Sequence, residues 1–264
     1  MMGSELLAGK VIVVSGVGPG LGRRVAEGAG LAGASVVMGA RSVDYLDELA
    51  ARLKDRDIPS VYRRSDVTVT ADCRELISAA EETFGGVDGV VCNASASGPF
   101  GATLEDGDLD AWQDAFDVNF FGSLRLVQAA IPALKRRGGG SVVFVGSQIV
   151  RRVFAGRGPY ASSKAALLTA SHVLARELGP YDIRVNTVVP GRMWGPSLQS
   201  GIGRLAASRG LTVEEQKQKM LDDVSLPRLA TDEECARAVL FLLSDMAAAM
   251  TGQSIDVNAG ETFH

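Results

Sequence analysis

Tyr160 and Lys164 stand four residues apart in the stretch Tyr-Ala-Ser-Ser-Lys, and this spacing decides what they can do together. Residues four apart on a helix share a face, so both side chains can point into one site. A free phenol has a pKa of about 10 and is a poor base at neutral pH. Because a nearby ammonium favours the phenolate, the pair predicts a group that exchanges a proton with a ligand oxygen.

Ser147 follows Ser141–Val145, an apolar run with the composition of a buried strand. A serine hydroxyl there can donate a hydrogen bond to a ligand oxygen on which negative charge develops. Tyr-x-x-x-Lys alone would also fit an exposed helix face. Together with the serine and a glycine-rich turn upstream, it predicts a site that interconverts an alcohol and a carbonyl.

A glycine-rich turn follows the first apolar run of the chain. Glycines allow a tight turn and let backbone N–H groups approach a pyrophosphate at the positive end of a helix. The position of the turn, between a predicted strand and a predicted helix, indicates a nicotinamide dinucleotide as cofactor. Its sequence is Ser15-Gly16-Val17-Gly18-Pro19-Gly20-Leu21-Gly22, with the spacing Gly16-x-x-x-Gly20-x-Gly22.

Arg41 and Ser42 follow the second predicted strand, where NAD-binding sheets usually carry an acidic residue for the ribose hydroxyls. A guanidinium beside a hydroxyl suits a 2′-phosphate, which it can bind bidentately. We therefore expect NADP(H) to be favoured over NAD(H). The alternative is that Arg41 only stacks on the adenine or reaches Asp44.

Asp66 and Val67 close the third predicted strand. The end of a strand beside the glycine-rich turn is a place from which they could contact the adenine. As an isolated pair they are uninformative, and an N-cap role is equally compatible with Asp66.

Short apolar runs that alternate with helical patterns must position these residues. Continuous apolar strands separated by helices indicate an α/β protein with a parallel sheet covered on both faces. Right-handed crossovers make it a doubly wound sheet, which binds ligands outside the carboxyl ends of its strands. The predicted strands are Val11–Ser15, Ser35–Gly39, Val61–Arg64, Val87–Cys92, Ser141–Val145, Arg184–Val189 and Ser254–Val257.

Helical patterns fill the intervals between these strands. The longest of them has candidate breaks early in its length and near Pro132. Apolar segments recur along the chain without a linker, so we expect one domain over residues 1–264 that both binds the cofactor and catalyses. The predicted helices cover about Gly20–Ala32, Asp44–Asp55, Thr70–Phe84, Asp108–Lys135, Pro159–Leu178 and Asp232–Leu243.

Composition argues against several classes of protein. A formal charge of -4 and a pI near 5.3 argue against a nucleic-acid binder. The three cysteines have no paired spacing and the two histidines no ligand-spaced partner, so no metal is expected. No signal-peptide pattern is visible, and no apolar run approaches the roughly 18 residues of a spanning helix. We expect a cytoplasmic protein that acts on a small molecule and has no membrane partner.

The order of these motifs resembles that of the short-chain dehydrogenases/reductases over essentially the whole chain. The resemblance implies a single-domain Rossmann-type fold and a homotetramer built through long helices and the last strand. The residues that carry it are Gly16, Gly20, Gly22, Asp66, Val67, Asn93, Ala94, Asn119, Ser147, Tyr160, Lys164, Pro190 and Gly191.

The resemblance also implies a role for each of four side chains. Tyr160 would be the general acid/base, and Lys164 would bind the nicotinamide ribose and favour the Tyr160 phenolate. Ser147 would orient and polarise the substrate, and Asn119 would hold a water that relays protons through Lys164. Cofactor contacts are expected from Ser15, Gly16, Gly20, Leu21, Gly22, Asp66, Val67, Asn93, Ala94, Pro190 and Gly191.

The chain departs from the family's pattern after the fourth predicted strand. The family's Asn-Asn-Ala-Gly reads Cys92-Asn93-Ala94-Ser95 here, which should weaken a structural hydrogen bond and add a side chain near the nicotinamide. The threonine that usually opens the glycine turn is Ser15, which keeps a hydroxyl. Neither change removes a catalytic group, so we expect an enzyme and not a non-catalytic NADP-binding regulator.

Substrate contacts are expected in the loops after the later strands, including a lid segment over about residues 191–227. An apolar lid predicts a bulky alicyclic, steroid-like or acyl-chain alcohol or ketone. Packing against the body is an equal alternative for Leu198 and Ile202. Several motifs, including Met193-Trp194-Gly195, resemble an actinobacterial-type subset of the family, whose generic labels name no substrate. The candidate substrate residues are Ser95, Gln148, Phe154, Met193 and Trp194.

A reductase of 3-oxoacyl groups on a carrier protein is the alternative enzyme. Such an enzyme needs a basic surface on which the acidic carrier protein docks. Arg151 and Arg152 are the basic residues of the sequence nearest to the predicted site.

Overall fold

Seven parallel strands form one sheet in the computed structural model, which describes residues 5–98, 101 and 103–263. The strand order is β3-β2-β1-β4-β5-β6-β7, and every neighbouring pair is parallel. The predicted doubly wound α/β sheet is therefore confirmed. The strands are β1 (Val11–Ser15), β2 (Ser35–Ala40), β3 (Ser60–Arg64), β4 (Gly89–Cys92), β5 (Gly140–Val145), β6 (Ile183–Pro190) and β7 (Ser254–Val257).

Helices cover both faces of the sheet because its central strands are apolar on both sides. One face packs against α1, α2 and α9, and the other against α3, α5 and α6. No helix in the described ranges is long and apolar enough to cross a membrane. The helices are α1 (Leu21–Leu31), α2 (Val43–Lys54), α3 (Thr70–Phe84), α4 (Asp110–Phe116), α5 (Gly122–Arg137), α6 (Gly158–Leu178), α7 (Pro196–Ser208), α8 (Val213–Asp222) and α9 (Asp232–Leu243).

The chain changes direction across the sheet at β1, which pairs with β2 on one side and with β4 on the other. Ser15 at the end of β1 stands level with Cys92 at the end of β4. The glycine-rich turn and the segment after Cys92 therefore leave the same edge of the sheet side by side. Open α/β sheets bind ligands in the crevice at such a point.

The longest predicted helix is divided by a π-helical turn, Asp117–Phe121, which joins α4 to α5. The early break is thus present, whereas α5 continues through Pro132 without ending. π-Helical turns inside helices are frequent at functional sites. This one carries Asn119, which is fully buried.

Residues 191–227 contain two helices, α7 and α8, that sequence analysis did not predict. They pack around a small apolar cluster of their own, in which Ile202, Met220 and Leu229 are buried. The segment is attached to the body at both ends. Met193 forms a parallel bridge with Ala230 at its start. The amides of residues 225 and 226 donate to the Ala259 carbonyl at its end.

Candidate active site

Lys164 lies in the interior, with 2% of its surface exposed. Its Nζ donates a hydrogen bond of 2.8 Å to the carbonyl oxygen of Val145, the last residue of β5. Burial lowers the pKa of Lys164 to about 8, because a charged ammonium is disfavoured away from water. The hydrogen bond fixes the ammonium two residues before Ser147.

Tyr160 is partly buried in the first turn of α6. The Nζ atom of Lys164 lies 5.9 Å from the centre of its ring. The positive end of a helix stabilises a negative charge placed in its first turn. The structure thus brings the predicted Tyr-Lys pair into one site, at the start of α6.

Ser147 follows β5 with an extended backbone, and it caps the short 3₁₀ turn Gln148–Val150. Its Oγ accepts a hydrogen bond of 3.3 Å from the amide of Ile149. An oxygen that accepts from the backbone still has its own hydrogen to donate. The Ser147 hydroxyl therefore keeps a hydrogen that it can donate, and its role toward a substrate oxygen stays a prediction.

Asn119 joins the π-helical turn to the loop after β4 and to α6. Its Oδ1 accepts from the amide of Ala96 at 2.8 Å, and its Nδ2 donates to the Ala96 carbonyl at 2.9 Å. Nδ2 also donates to Ser163 Oγ at 2.9 Å. Both side-chain N–H groups are thus used within the protein, so a water relay would need the remaining acceptor capacity of Asn119. Sequence analysis did not single out Ser163.

Arg157 was also missed by sequence analysis. The central carbon of its guanidinium lies 4.9 Å from the centre of the Tyr160 ring, within the range of a cation–π contact. Burial lowers the pKa of Arg157. Its only signal in the sequence is a position three residues before Tyr160, which is not specific enough to assign a role.

The glycine-rich turn is pressed against the loop after β4. Gly16 has a φ of +71°, and a Cβ built on it would lie 2.3 Å from the amide nitrogen of Ala94. Asn93 Nδ2 donates to the Gly16 carbonyl at 2.7 Å. A Cβ on Gly22 would lie 2.5 Å from that same carbonyl oxygen. Gly16, Gly22 and Asn93 together therefore allow the glycine-rich turn to pack closely against the loop after β4.

The surface of this turn fits a dinucleotide. A Cβ on Gly18 would meet no atom within 4 Å, so there is open space in front of α1. Gly20, the N-cap residue of α1, supplies no side-chain cap to the helix amides. Across the crevice, Gln148 Oε1 is buried without a hydrogen-bond partner among the described residues, 3.0 Å from the Cβ position of Gly191. A pyrophosphate suits the open space in front of α1, and a ligand N–H group suits the Gln148 Oε1 atom.

Arg41 and Ser42 lie exposed after β2. Ser42 is the N-cap residue of α2, yet its hydroxyl makes no capping hydrogen bond and stays available to a ligand. No ion pair joins Arg41 to Asp44 within the described ranges. The alternative that Arg41 reaches Asp44 thus finds no support here.

Asp66 is not the N-cap of α3, which begins at Thr70 after Val69. Its Oδ1 accepts hydrogen bonds from the backbone and the hydroxyl of Thr68, at 3.0 and 2.8 Å. The backbone bond is the main cause that lowers the pKa of Asp66, and the positive charge of Arg41 acts in the same direction. The Asp66 carboxylate is thus fixed near Arg41.

Known proteins show the same arrangement over nearly the whole chain. A family model described as Enoyl-(Acyl carrier protein) reductase matches residues 16–262. Dehydrogenase/reductase SDR family member 4 of Homo sapiens is 32% identical over 255 residues, which are 96% of this chain and 88% of that protein. The chain belongs to the short-chain dehydrogenase/reductase family. It is accordingly an NAD(P)-dependent oxidoreductase.

Two further known proteins illustrate the range of the resemblance. An uncharacterized oxidoreductase of Thermotoga maritima is 32% identical over 254 residues, 96% of this chain and 98% of that protein. L-Sorbose reductase from Gluconobacter frateurii, solved with NADPH and L-sorbose, superposes with a TM-score of 0.91 at 29% identity. The superposition covers 98% of each chain.

Cys92 replaces the first asparagine of the family's motif, and its thiol is fully buried. Its Sγ lies 3.8 Å from the carbonyl oxygen of Ser123 on α5. A thiol is a weak donor, so this contact is weaker than an amide hydrogen bond. Burial raises the pKa of Cys92 well above its ordinary value, which fits an inert packing residue.

The predicted substrate residues of this short-chain dehydrogenase/reductase lie in different surroundings. Ser95 is exposed and Gln148 is buried. Phe154 is 46% exposed in the loop after β5. Met193 packs against the main core, and Trp194 packs with the α7–α8 cluster. Leu198 also packs in the α7–α8 cluster, which agrees with the alternative that this residue has a packing role.

Arg151 and Arg152 both pair with acidic residues of the same chain. Arg151 lies 3.5 Å from Asp256 on β7, and Arg152 lies 3.6 Å from Asp223 after α8. A carrier protein would have to displace these partners to use either arginine. The arrangement therefore gives no support to the proposed basic docking surface.

Proposed function

We propose that this enzyme interconverts a secondary alcohol and a ketone, with Tyr160 as the residue that transfers the proton. The observation that carries the proposal is the Lys164 ammonium, bonded to the end of β5 and 5.9 Å from the Tyr160 ring. In the reductive direction the nicotinamide supplies the hydride to the carbonyl carbon. The Tyr160 hydroxyl gives its proton to the oxygen, and the Ser147 hydroxyl donates a hydrogen bond to that oxygen.

Lys164 and Asn119 support this step without touching the substrate oxygen. Lys164 favours the phenolate that remains after the proton has left, because opposite charges attract. In the same proposal Lys164 contacts the nicotinamide ribose. Asn119 holds the loop after β4 against α6, which keeps Tyr160 and the cofactor crevice in register.

The substrate is proposed to be a bulky apolar compound, alicyclic, steroid-like or acyl. The supporting observation is the loop after Ser147, in which Val153 is 74% and Phe154 46% exposed. Exposed apolar side chains near a site favour an apolar ligand. The segment over residues 191–227 would cover the ligand as a lid.

A ketose or polyol is the second candidate substrate. It is favoured by the similarity to L-sorbose reductase at a TM-score of 0.91 and 29% identity. A polar sugar would use hydrogen bonds in place of apolar contact. Ser95, which is exposed after β4, is a residue that could form one.

Turnover of a ketone panel with NADPH distinguishes the candidates. We expect kcat/KM to be highest for alicyclic or steroid ketones, above that for ketoses or 3-oxoacyl thioesters. Phe154→Ser should raise KM for the apolar ketones about tenfold, since a buried Phe contact contributes about 1.5 kcal/mol or more. Leu31→Ser is the matched control, because Leu31 is 55% exposed at the last residue of α1, the end of that helix farthest from the glycine-rich turn. Highest activity on ketoses would replace the first candidate by the second.

NADP(H) is the proposed cofactor in preference to NAD(H). Arg41→Ala should weaken NADPH binding about 10- to 100-fold, because a hydrogen bond to a charged group contributes about 1.5–3 kcal/mol. NADH binding should not change, since NADH has no 2′-phosphate. Isothermal titration calorimetry measures both. Arg63→Ala is the matched control, because Arg63 is exposed on β3 and bonds the Tyr62 carbonyl. Equal losses for both cofactors would contradict the phosphate role.

We also propose a homotetramer and a cytoplasmic location. Phe121 in the π-helical turn before α5 and Val173 on α6, exposed by 48% and 52%, offer apolar surface on the sheet face that carries these helices. β7 is the last strand of the sheet, and among the described residues no strand pairs with its outer edge, which suits pairing with another subunit. Cys73, Cys92 and Cys235 are free thiols, which suits a reducing compartment.

A further inference from the structure

Asp232 is a buried carboxylate at the start of α9, with 9% of its surface exposed. A Cβ built on Gly195 would lie 2.1 Å from its Oδ2, and one built on Gly20 would lie 3.4 Å away. Gly20 is the N-cap residue of α1, and Gly195 is the N-cap residue of α7. The carboxylate therefore lies where three helices begin, against the turn that fits the pyrophosphate.

The cap of α9 does not need Asp232. Thr231 Oγ1 accepts from the amide of Glu234, and Glu234 Oε2 accepts from the Thr231 amide at 3.0 Å, which completes a capping box. No hydrogen bond of the Asp232 carboxylate occurs within the described part of the chain. Burial raises the pKa of Asp232, and the charges of Arg24 and Arg23 act in the opposite direction.

We propose that Asp232 is a proton-linked cofactor-binding residue, which takes up a proton from solvent when the dinucleotide pyrophosphate binds at the start of α1. The ionised carboxylate and the pyrophosphate are both anions directed at the same positive helix end, so they repel each other. The protonated carboxyl is neutral, and its O–H can donate to a phosphate oxygen. The inference rests on the cofactor part of the proposed function and not on the substrate.

The charged groups near Asp232 lie on α1 and α9, and each acidic one among them is paired with an arginine. On α1, Arg23 and Arg24 both pair with Glu27, and an arginine stays protonated throughout the working range. On α9, Glu233 pairs with Arg237, and Glu234 pairs with Arg228, which lowers the pKa of Glu234 to about 2. The first turn of α7 carries no acidic group.

Proton uptake by Asp232 makes the affinity for the cofactor depend on pH in a definite direction. The bound pyrophosphate disfavours the ionised carboxylate, so the pKa of Asp232 is higher in the complex than in the free protein. Between those two values the complex holds more protons than the free protein, and binding weakens as the pH rises. Asp232→Asn cannot ionise and should therefore bind the cofactor about tenfold more tightly than the unmodified protein at pH 8 or so.

Calorimetric titration with NADPH, in buffers of high and low ionisation enthalpy, tests the inference. The unmodified protein should take up more protons per NADPH bound than Asp232→Asn does, and its Kd should rise more steeply with pH. NADPH carries its own titrating 2′-phosphate, so the difference between the variants is the readout. NADH, which lacks this group, gives the second data set. Glu233→Gln is the matched control, since Glu233 is the exposed acidic neighbour on the same turn.

Equal proton uptake and equal pH dependence in the unmodified protein and Asp232→Asn would overturn the inference. If Asp232→Asn does not fold, the Kd for NADH is measured in the unmodified protein between pH 5 and 9. A Kd that does not change with pH over this range would overturn the inference. Failure of the ketone panel leaves these titrations intact, so the two failures are distinguishable. Absence of any dinucleotide binding would overturn this inference and the cofactor assignment together.

Discussion

Tyr160→Phe is expected to lower kcat by about 10³-fold, within the range that general acid–base catalysis contributes. The change removes one oxygen and keeps the ring, so the contacts of Arg157 and Lys164 with that ring are retained. NADPH binding and the unfolding midpoint should change little. Steady-state kinetics on the best ketone of the panel, with calorimetric NADPH binding, measures the effect.

Tyr181→Phe serves as the matched control for Tyr160→Phe. Tyr181 is 48% exposed after α6, and its ring contacts Lys135, so it also combines a phenol with a lysine. It should retain full activity. A kcat of Tyr160→Phe within a factor of ten of the unmodified enzyme would contradict proton transfer by Tyr160.

Lys164→Met is expected to abolish most of the activity and to stabilise the fold. Activity should fall by about 10²-fold or more, because the phenolate loses its neighbouring ammonium. The fold should gain up to about 2 kcal/mol, since a buried charge is replaced by an apolar chain of similar length. The gain is the desolvation penalty of the ammonium, about 3 kcal/mol, less the lost hydrogen bond to Val145, which contributes about 1.5–3 kcal/mol because its donor is charged. Urea unfolding measures the second effect.

The pH dependence of stability tests the cause of that gain. Burial lowers the pKa of Lys164 from 10.5 to about 8, so the unfolded chain binds more protons between these values. The free energy of unfolding attributable to Lys164 should therefore rise as the pH rises through this window. The free energy of unfolding that Lys164→Met gains over the unmodified protein should be largest below about pH 8 and should shrink toward pH 10. An advantage that does not vary with pH would contradict the desolvation argument.

Local patterns predicted most of the fold and the shared face of Tyr160 and Lys164. Helix periodicity places Tyr160 and Lys164 on one face of a helix, whatever residues surround them. Apolar runs such as that of β1 predict buried strands. The doubly wound arrangement followed from the handedness of crossovers and from the resemblance to the family, whereas the order of the strands was not predicted. Helix periodicity and apolar runs depend only on residues close together in the sequence, so a single sequence is enough to recognise them.

Contacts between distant segments were not predictable in this way. Asn119 bonds Ala96 and Ser163, and Asp232 reaches Gly20 and Gly195, over separations that no periodicity encodes. Helices α7 and α8 were missed because their apolar residues pack on each other and not on the sheet. In each case tertiary packing, which the local sequence does not specify, decides the partner.

The attachment of the α7–α8 segment at both ends sets the kind of motion available to it. Besides the backbone contacts at its two ends, Arg192 binds both Asp223 and Glu261, with 2.7 Å between Arg192 Nη2 and Asp223 Oδ2. A segment held at both ends cannot swing on a single hinge. In the proposed role as a lid, its opening has to loosen the small cluster around Ile202 and Met220. Substrate access is then governed by a local unfolding equilibrium, whose free energy hydrogen exchange can report amide by amide.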